Sequence, residues 1–143
     1  MNKIQTKLYT ASVTVSGERN GKAVSSDGVL HLDLRVPKGL GGAGEHGTNP
    51  EQLFGAGYAA CFEGALGVAL RQRRLKAEGT RVTAHITIGK DEHGSFTLAA
   101  KLDVTVPGFE EDFVRELIEQ AHQICPYSRA TRGNIEVEFN VVI

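Results

Sequence analysis

The sequence predicts a single α+β domain over residues 1–143, and three features point to that class. Short runs of alternating apolar and polar residues lie near the start, in the middle and at the end of the chain, the pattern of half-buried strands. Two longer runs between them carry helical signals, one rich in Gly and Ala after Asn49-Pro50 and one amphipathic over residues 110–124. Strands before, between and after two helices give an α+β arrangement, not a doubly wound sheet. A chain of 143 residues also buries a real core without metal or disulfide staples.

The first strands are expected between residues 7 and 36, where Leu8, Val13, Val15, Leu30, Leu32, Leu34 and Val36 mark the alternation. Asn20-Gly21 is a hairpin signal and puts Arg19 at a strand end. Residues 38–48 form a glycine-rich loop, with lid and plain connector equally open as readings. Asn49-Pro50 then reads as N-cap and first helical position, and Gln52 completes an Asn-x-x-Gln capping box. The helix is expected from residue 50 to about 75. Gly55, Gly57, Gly64 and Gly67 each cost roughly 1 kcal/mol against alanine, so their presence implies close backbone approach and a helix buried all round. Residues 81–88 and 96–106 alternate again around Asp91-Glu92-His93-Gly94, a second hairpin. Phe113, Leu117, Ala121 and Ile124 follow helical spacing, and Pro126 limits that helix, leaving Cys125 at its C-terminus. Residues 135–143 form a final strand.

Composition removes several function classes. A formal net charge of −1, from 16 basic and 17 acidic residues, gives no global attraction to nucleic acid or to an anionic membrane. The local cluster Arg71-Gln72-Arg73-Arg74-Leu75-Lys76 reads as a solvated helix end beside the negative dipole pole, without aromatic residues for stacking. A membrane span is disfavoured by Glu51, Glu63 and these arginines. The start has no apolar signal core, and two cysteines suit a reducing compartment, so a cytoplasmic protein is expected.

The glycine loop lacks the Gly-Lys-Ser/Thr order of a phosphate-binding loop. His31, His46, His85, His93 and His122 are scattered without metal-ligand spacing, so no metal site is expected. Cys–His catalysis stays open, since partners need only meet in space, but no local motif selects one histidine. Cys61 and Cys125 remain, the only two cysteines, outside any C-x-x-C cluster. Alone, Cys61 reads as a small buried hydrophobe on a Gly/Ala helix. A second cysteine beside a helix-ending proline shifts the balance toward a redox pair. Cys61 lies about eleven residues into the helix, roughly 16 Å, so the helix dipole cannot activate it and a permanent cation such as a guanidinium is needed.

Three stretches carry a family resemblance. Thr48-Asn49-Pro50-Glu51-Gln52-Leu53-Phe54, Gly57-Tyr58-Ala59-Ala60-Cys61-Phe62 and Cys125-Pro126-Tyr127-Ser128-Arg129-Ala130-Thr131-Arg132-Gly133-Asn134 closely resemble the Ohr branch of the OsmC/Ohr family, along essentially the whole chain. The resemblance implies an intertwined homodimer with antiparallel-rich sheets wrapped around two central helices. It implies a thiol peroxidase that reduces alkyl and fatty-acid hydroperoxides. By matching positions, Cys61 resembles the peroxidatic cysteine, Cys125 the resolving cysteine, and Arg19 and Glu51 the pair that holds the thiolate. It implies no bound cofactor, and a dihydrolipoyl group or lipoylated protein as external reductant.

Geometry adds a constraint to those roles. On one straight helix Glu51 and Cys61 stand about 15 Å apart, farther than one guanidinium spans. Either the helix breaks after Glu51 or the Glu51 at each site comes from a partner chain, and the second is the expectation. Leu53, Phe54, Tyr58, Phe62 and Leu66 are the candidates for an apolar channel, most of them expected to serve packing instead. The alternatives are an OsmC-like peroxidase, a redox-sensing thiol switch, and a binding or structural dimer whose thiols merely pack.

Overall fold

The alternating residues near the N-terminus form three short strands in the computed structural model, which describes all residues from Met1 to Ile143. The chain divides into two compact units, Met1–Pro50 and Glu51–Ile143. In the first unit β1 (Val13–Ser16), β2 (Lys22–Ser25) and β3 (His31–Asp33) make an antiparallel sheet in the order β1-β2-β3. The Asn20-Gly21 signal marks the right connection, but residues 17–21 form it, with a 3-10 turn at Glu18–Asn20. Gly17 has φ 79°, and a Cβ on Gly21 would lie 1.6 Å from the Ser16 carbonyl oxygen, so the turn needs glycine at both ends. The expectation of half-buried strands fails for β1. It is an edge strand, and Val13 and Val15 are about half exposed. The glycine loop holds a 3-10 turn at Lys38–Leu40.

The second unit opens with α1 (Pro50–Gln72), which begins at the expected proline. It ends three residues earlier than its periodicity suggests. Arg74 sits at φ 57°, Arg74 N–H donates to the Arg71 carbonyl (3.0 Å) and Leu75 N–H to the Leu70 carbonyl (2.9 Å). That is a Schellman termination without the usual glycine, hence invisible to a search for Gly. The arginine cluster is solvated as expected at Arg71, Arg74 and Lys76, with Arg73 the exception. Arg73 Nε donates to Gln120 Oε1 at 3.0 Å, and its guanidinium lies 5.1 Å from the Phe113 ring centroid.

Strands β4 (Arg81–Lys90) and β5 (Phe96–Thr105) pair antiparallel around the predicted turn. Helix α2 (Glu111–Ile124) follows, then α3 (Pro126–Thr131), then β6 (Val137–Val141), which joins β5 in parallel. Pairing is therefore antiparallel-rich, and the class is α+β. Pro126 does stop α2, yet as the first residue of α3 it also starts a helix the sequence reading missed.

The core lies between α1, β5 and α2. Phe62, Leu66, Leu102 and Leu117 are fully buried, each contributing roughly 1.5–3 kcal/mol. By length and composition α1 could cross a membrane, but its apolar face is spent on this core. Burial all round, however, is not observed. Gln52, Ala56, Ala60, Glu63 and Gly64 form an exposed stripe at helical spacing, because core contacts occupy only the opposite face.

Candidate thiol site

Cys125 is positioned by the proline that follows it. A residue before proline avoids the helical region, and Cys125 is extended at φ −64°, ψ 121°. It is thus the C-cap of α2 and the residue that opens α3. Its N–H donates to the Ala121 carbonyl (2.8 Å), its carbonyl accepts from Arg129 N–H (3.0 Å), and its side chain is fully buried.

Across from it on α1 stands Cys61, half-buried, and both are free thiols. The Cys125 thiol and the Tyr127 backbone amide both lie close enough to the Cys61 thiol to influence its ionisation. This donor is available for a simple reason. Tyr127 is in the first turn of α3, where N–H groups have no partner within the helix. Burial pushes the Cys61 thiol up; the Tyr127 N–H opposes that, and the Cys125 contact adds to it. Exposure is unequal within the pair. A reagent from solvent can reach Cys61, while Cys125 reaches Cys61.

Aromatic and hydroxyl side chains surround the thiols. Phe54 and Tyr127 meet edge to face with centroids 6.2 Å apart, and Tyr58 and Tyr127 lie at 5.8 Å. Tyr127 fits because position 57 is glycine; a Cβ there would stand 2.6 Å from its Oη. Tyr58 is fully buried and shares hydrogen bonds with Ser128 Oγ (3.0 Å) and Thr131 Oγ1 (3.3 Å). Of the expected channel residues, Tyr58, Phe62 and Leu66 are wholly buried in the core, leaving Leu53 and Phe54 half-buried near the surface.

Arg19 occupies the Glu18–Asn20 turn of the first unit, beside rather than within a strand. Arg35, which no sequence motif singled out, anchors that turn. Its Nη1 donates to the Asn20 (3.1 Å) and Leu34 (2.6 Å) carbonyls, and its Nε donates to Glu45 Oε2 (3.1 Å). One guanidinium thereby ties the Arg19 turn to the glycine loop. Glu51 lies in the first turn of α1, on the same unbroken helix as Cys61. No group of three or more His, Cys, Asp or Glu side chains is arranged to hold a metal.

Comparison with known proteins extends these observations. Residues 41–140 match the family model described as OsmC-like protein. An organic hydroperoxide resistance protein of Xanthomonas axonopodis pv. citri is 50% identical, over 91% of this chain and 92% of that one. The organic hydroperoxide resistance protein OhrA of Bacillus subtilis is 47% identical, over 94% and 96%. Among solved structures, an organic hydroperoxide resistance protein from Elizabethkingia anophelis, with crystallant-derived thiocyanate bound, superposes with TM-score 0.90 at 48% identity, covering 96% of this chain and 98% of that one.

Proposed function

The chain belongs to the OsmC-like family, in its organic hydroperoxide resistance branch, and from that premise we propose that it is a cysteine-based peroxidase for organic hydroperoxides. The observation that carries the proposal is the pairing of two free thiols, half-buried Cys61 and buried Cys125, close enough for one to influence the other's ionisation. Cys61 thiolate attacks the distal peroxide oxygen, the O–O bond breaks, and the alkoxide leaves as alcohol after taking a proton. Cys61 is left as sulfenic acid. Cys125 then attacks the Cys61 sulfur, the S–O bond breaks, and water leaves as the disulfide forms. An external dithiol, a dihydrolipoyl group in this proposal, restores both thiols by exchange. No resident cofactor or metal enters the cycle.

Burial works against the thiolate, so activation needs a positive charge. Arg19 supplies it and also steadies the charge developing on the leaving oxygen, while Glu51 orients the guanidinium through paired hydrogen bonds. Because α1 is unbroken from Pro50 to Gln72, Glu51 is about 15 Å along the axis from Cys61, and we assign it to the site of the second subunit in a homodimer. The exposed stripe of Gln52, Ala56, Ala60, Glu63 and Gly64 supports that assignment, being narrow enough for close approach of another helix. In this proposal residues 1–143 act as one functional domain. Phe54 and Tyr127 form an apolar wall for the alkyl group. The location is cytoplasmic, where a reducing pool keeps both thiols free.

Steady-state turnover tests the reading. With an alkyl hydroperoxide and dihydrolipoamide, sustained peroxide consumption that Cys61→Ser abolishes is expected. A single turnover followed by arrest, with this dithiol and with other lipoyl donors, would favour a redox-sensing switch over an enzyme.

A further inference from the structure

The hydroxyls of Tyr58, Ser128 and Thr131 take no part in the cycle above, yet they are among the few buried polar groups of the chain. They bridge the two segments that carry the thiols. Tyr58 lies one turn before Cys61 on α1, and Ser128 lies one turn beyond Cys125. The contacts close a ring. Tyr58 Oη meets Thr131 Oγ1, Thr131 Oγ1 donates to the Tyr127 carbonyl (2.9 Å), and the Tyr127 amide lies beside the Cys61 thiol. A helix of six residues is too short to hold itself in water, so α3 depends on such bonds for its place.

We propose that this buried hydroxyl cluster is a positioning latch that keeps α3 against α1 once Cys61 is oxidised, so that Cys125 consumes the sulfenic acid before a second hydroperoxide does. The inference rests on the peroxidase reading given above. At the sulfenic acid two reactions compete. In one, the Cys125 sulfur bonds to the Cys61 sulfur, the S–O bond breaks, and hydroxide leaves with the Cys125 proton as water. In the other, the Cys61 sulfur attacks another hydroperoxide, gains a second oxygen as the O–O bond breaks, and becomes sulfinic acid with release of alcohol. The first needs the two sulfurs to close to about 2.05 Å. Oxidation adds an oxygen to the Cys61 sulfur, beside the Cys125 thiol and the Tyr127 amide. The Tyr58–Ser128 and Tyr58–Thr131 bonds do not involve sulfur and persist through that step, which is what makes them suited to the task.

The partition is readable without knowing the rate of the first oxidation, because resolution is unimolecular and overoxidation scales with hydroperoxide concentration. Full-length protein is treated with a graded series of an alkyl hydroperoxide, and intact mass separates disulfide (loss of two hydrogens) from sulfinic acid (gain of two oxygens). Tyr58→Phe keeps the ring and removes the hydroxyl; the concentration giving half overoxidation is expected to fall roughly three- to tenfold, the worth of one hydrogen bond of ordinary net strength. Ser128→Ala is expected to act in the same direction, and Thr131→Ser, which retains the hydroxyl, to match wild type. An unchanged midpoint in both Tyr58→Phe and Ser128→Ala, even with lowered melting temperature, overturns the latch and leaves the peroxidase intact. Wild-type protein that forms no disulfide at any concentration overturns both.

Discussion

Burial and the Cys125 contact hold the proton on Cys61, and the Tyr127 N–H alone among the contacts described pulls the other way. A thiol whose ionisation is pushed up reacts faster as pH rises, since only the thiolate attacks. If Arg19 overcomes that push, its loss moves the pH–rate midpoint upward. Arg19→Ala is therefore expected to shift the midpoint for Cys61 oxidation to alkaline pH and to slow the reaction at neutral pH by tenfold or more, about tenfold per pH unit moved. Stopped-flow oxidation by an alkyl hydroperoxide across pH reads this directly, and an unshifted profile would remove Arg19 from the role. The two thiols were legible as residues because Cys125 stands beside a helix-ending proline and, as a second cysteine, shifts Cys61 from a packing role toward a redox pair. The Tyr127 amide and the Tyr58 hydroxyl cluster were not. A backbone donor leaves no mark on sequence, and Tyr58 reads as one more apolar residue on a helix.

Elements were legible where local chemistry determines them and obscure where it does not. Pro50 marks the start of α1, and Asp91-Glu92-His93-Gly94 marks the β4–β5 turn, because capping and turn signals are local. The end of α1 was misread since Arg74 adopts a left-handed conformation normally left to glycine. That carries a prediction of its own. Arg74→Gly relieves the side-chain penalty at φ 57°, and a gain of about 0.5–1 kcal/mol is expected in denaturant unfolding. A loss instead would mean that the Arg74 side chain contributes more than its backbone costs. Helix α3 escaped notice because a single proline both ends one helix and begins the next. The parallel β5–β6 pairing was equally hidden, since residues 101 and 138 meet only through the intervening helices.

For the whole molecule, a single chain leaves apolar surface that a stable fold ordinarily covers. Val13 and Val15 of β1 and the Ala56, Ala60 stripe of α1 are exposed. The α+β class was readable from the order of strands and helices, but the exposed stripe was not, because composition reports smooth faces without saying which one the core takes. In the proposed dimer that stripe is covered by the second copy. Ala60→Arg is then expected to convert a dimer to monomer in sedimentation equilibrium and, by removing Glu51 from its assigned site, to lower peroxidase activity at least tenfold; monomeric wild-type protein would refute the assignment of Glu51 to the partner. The claim on which all else rests is that Cys61 and Cys125 are unequal members of one redox pair. Intact mass after one equivalent of an alkyl hydroperoxide tests it most directly. The account predicts loss of two hydrogens in wild type, a stable gain of oxygen in Cys125→Ser and no change in Cys61→Ser, whereas an unchanged wild-type mass would contradict it.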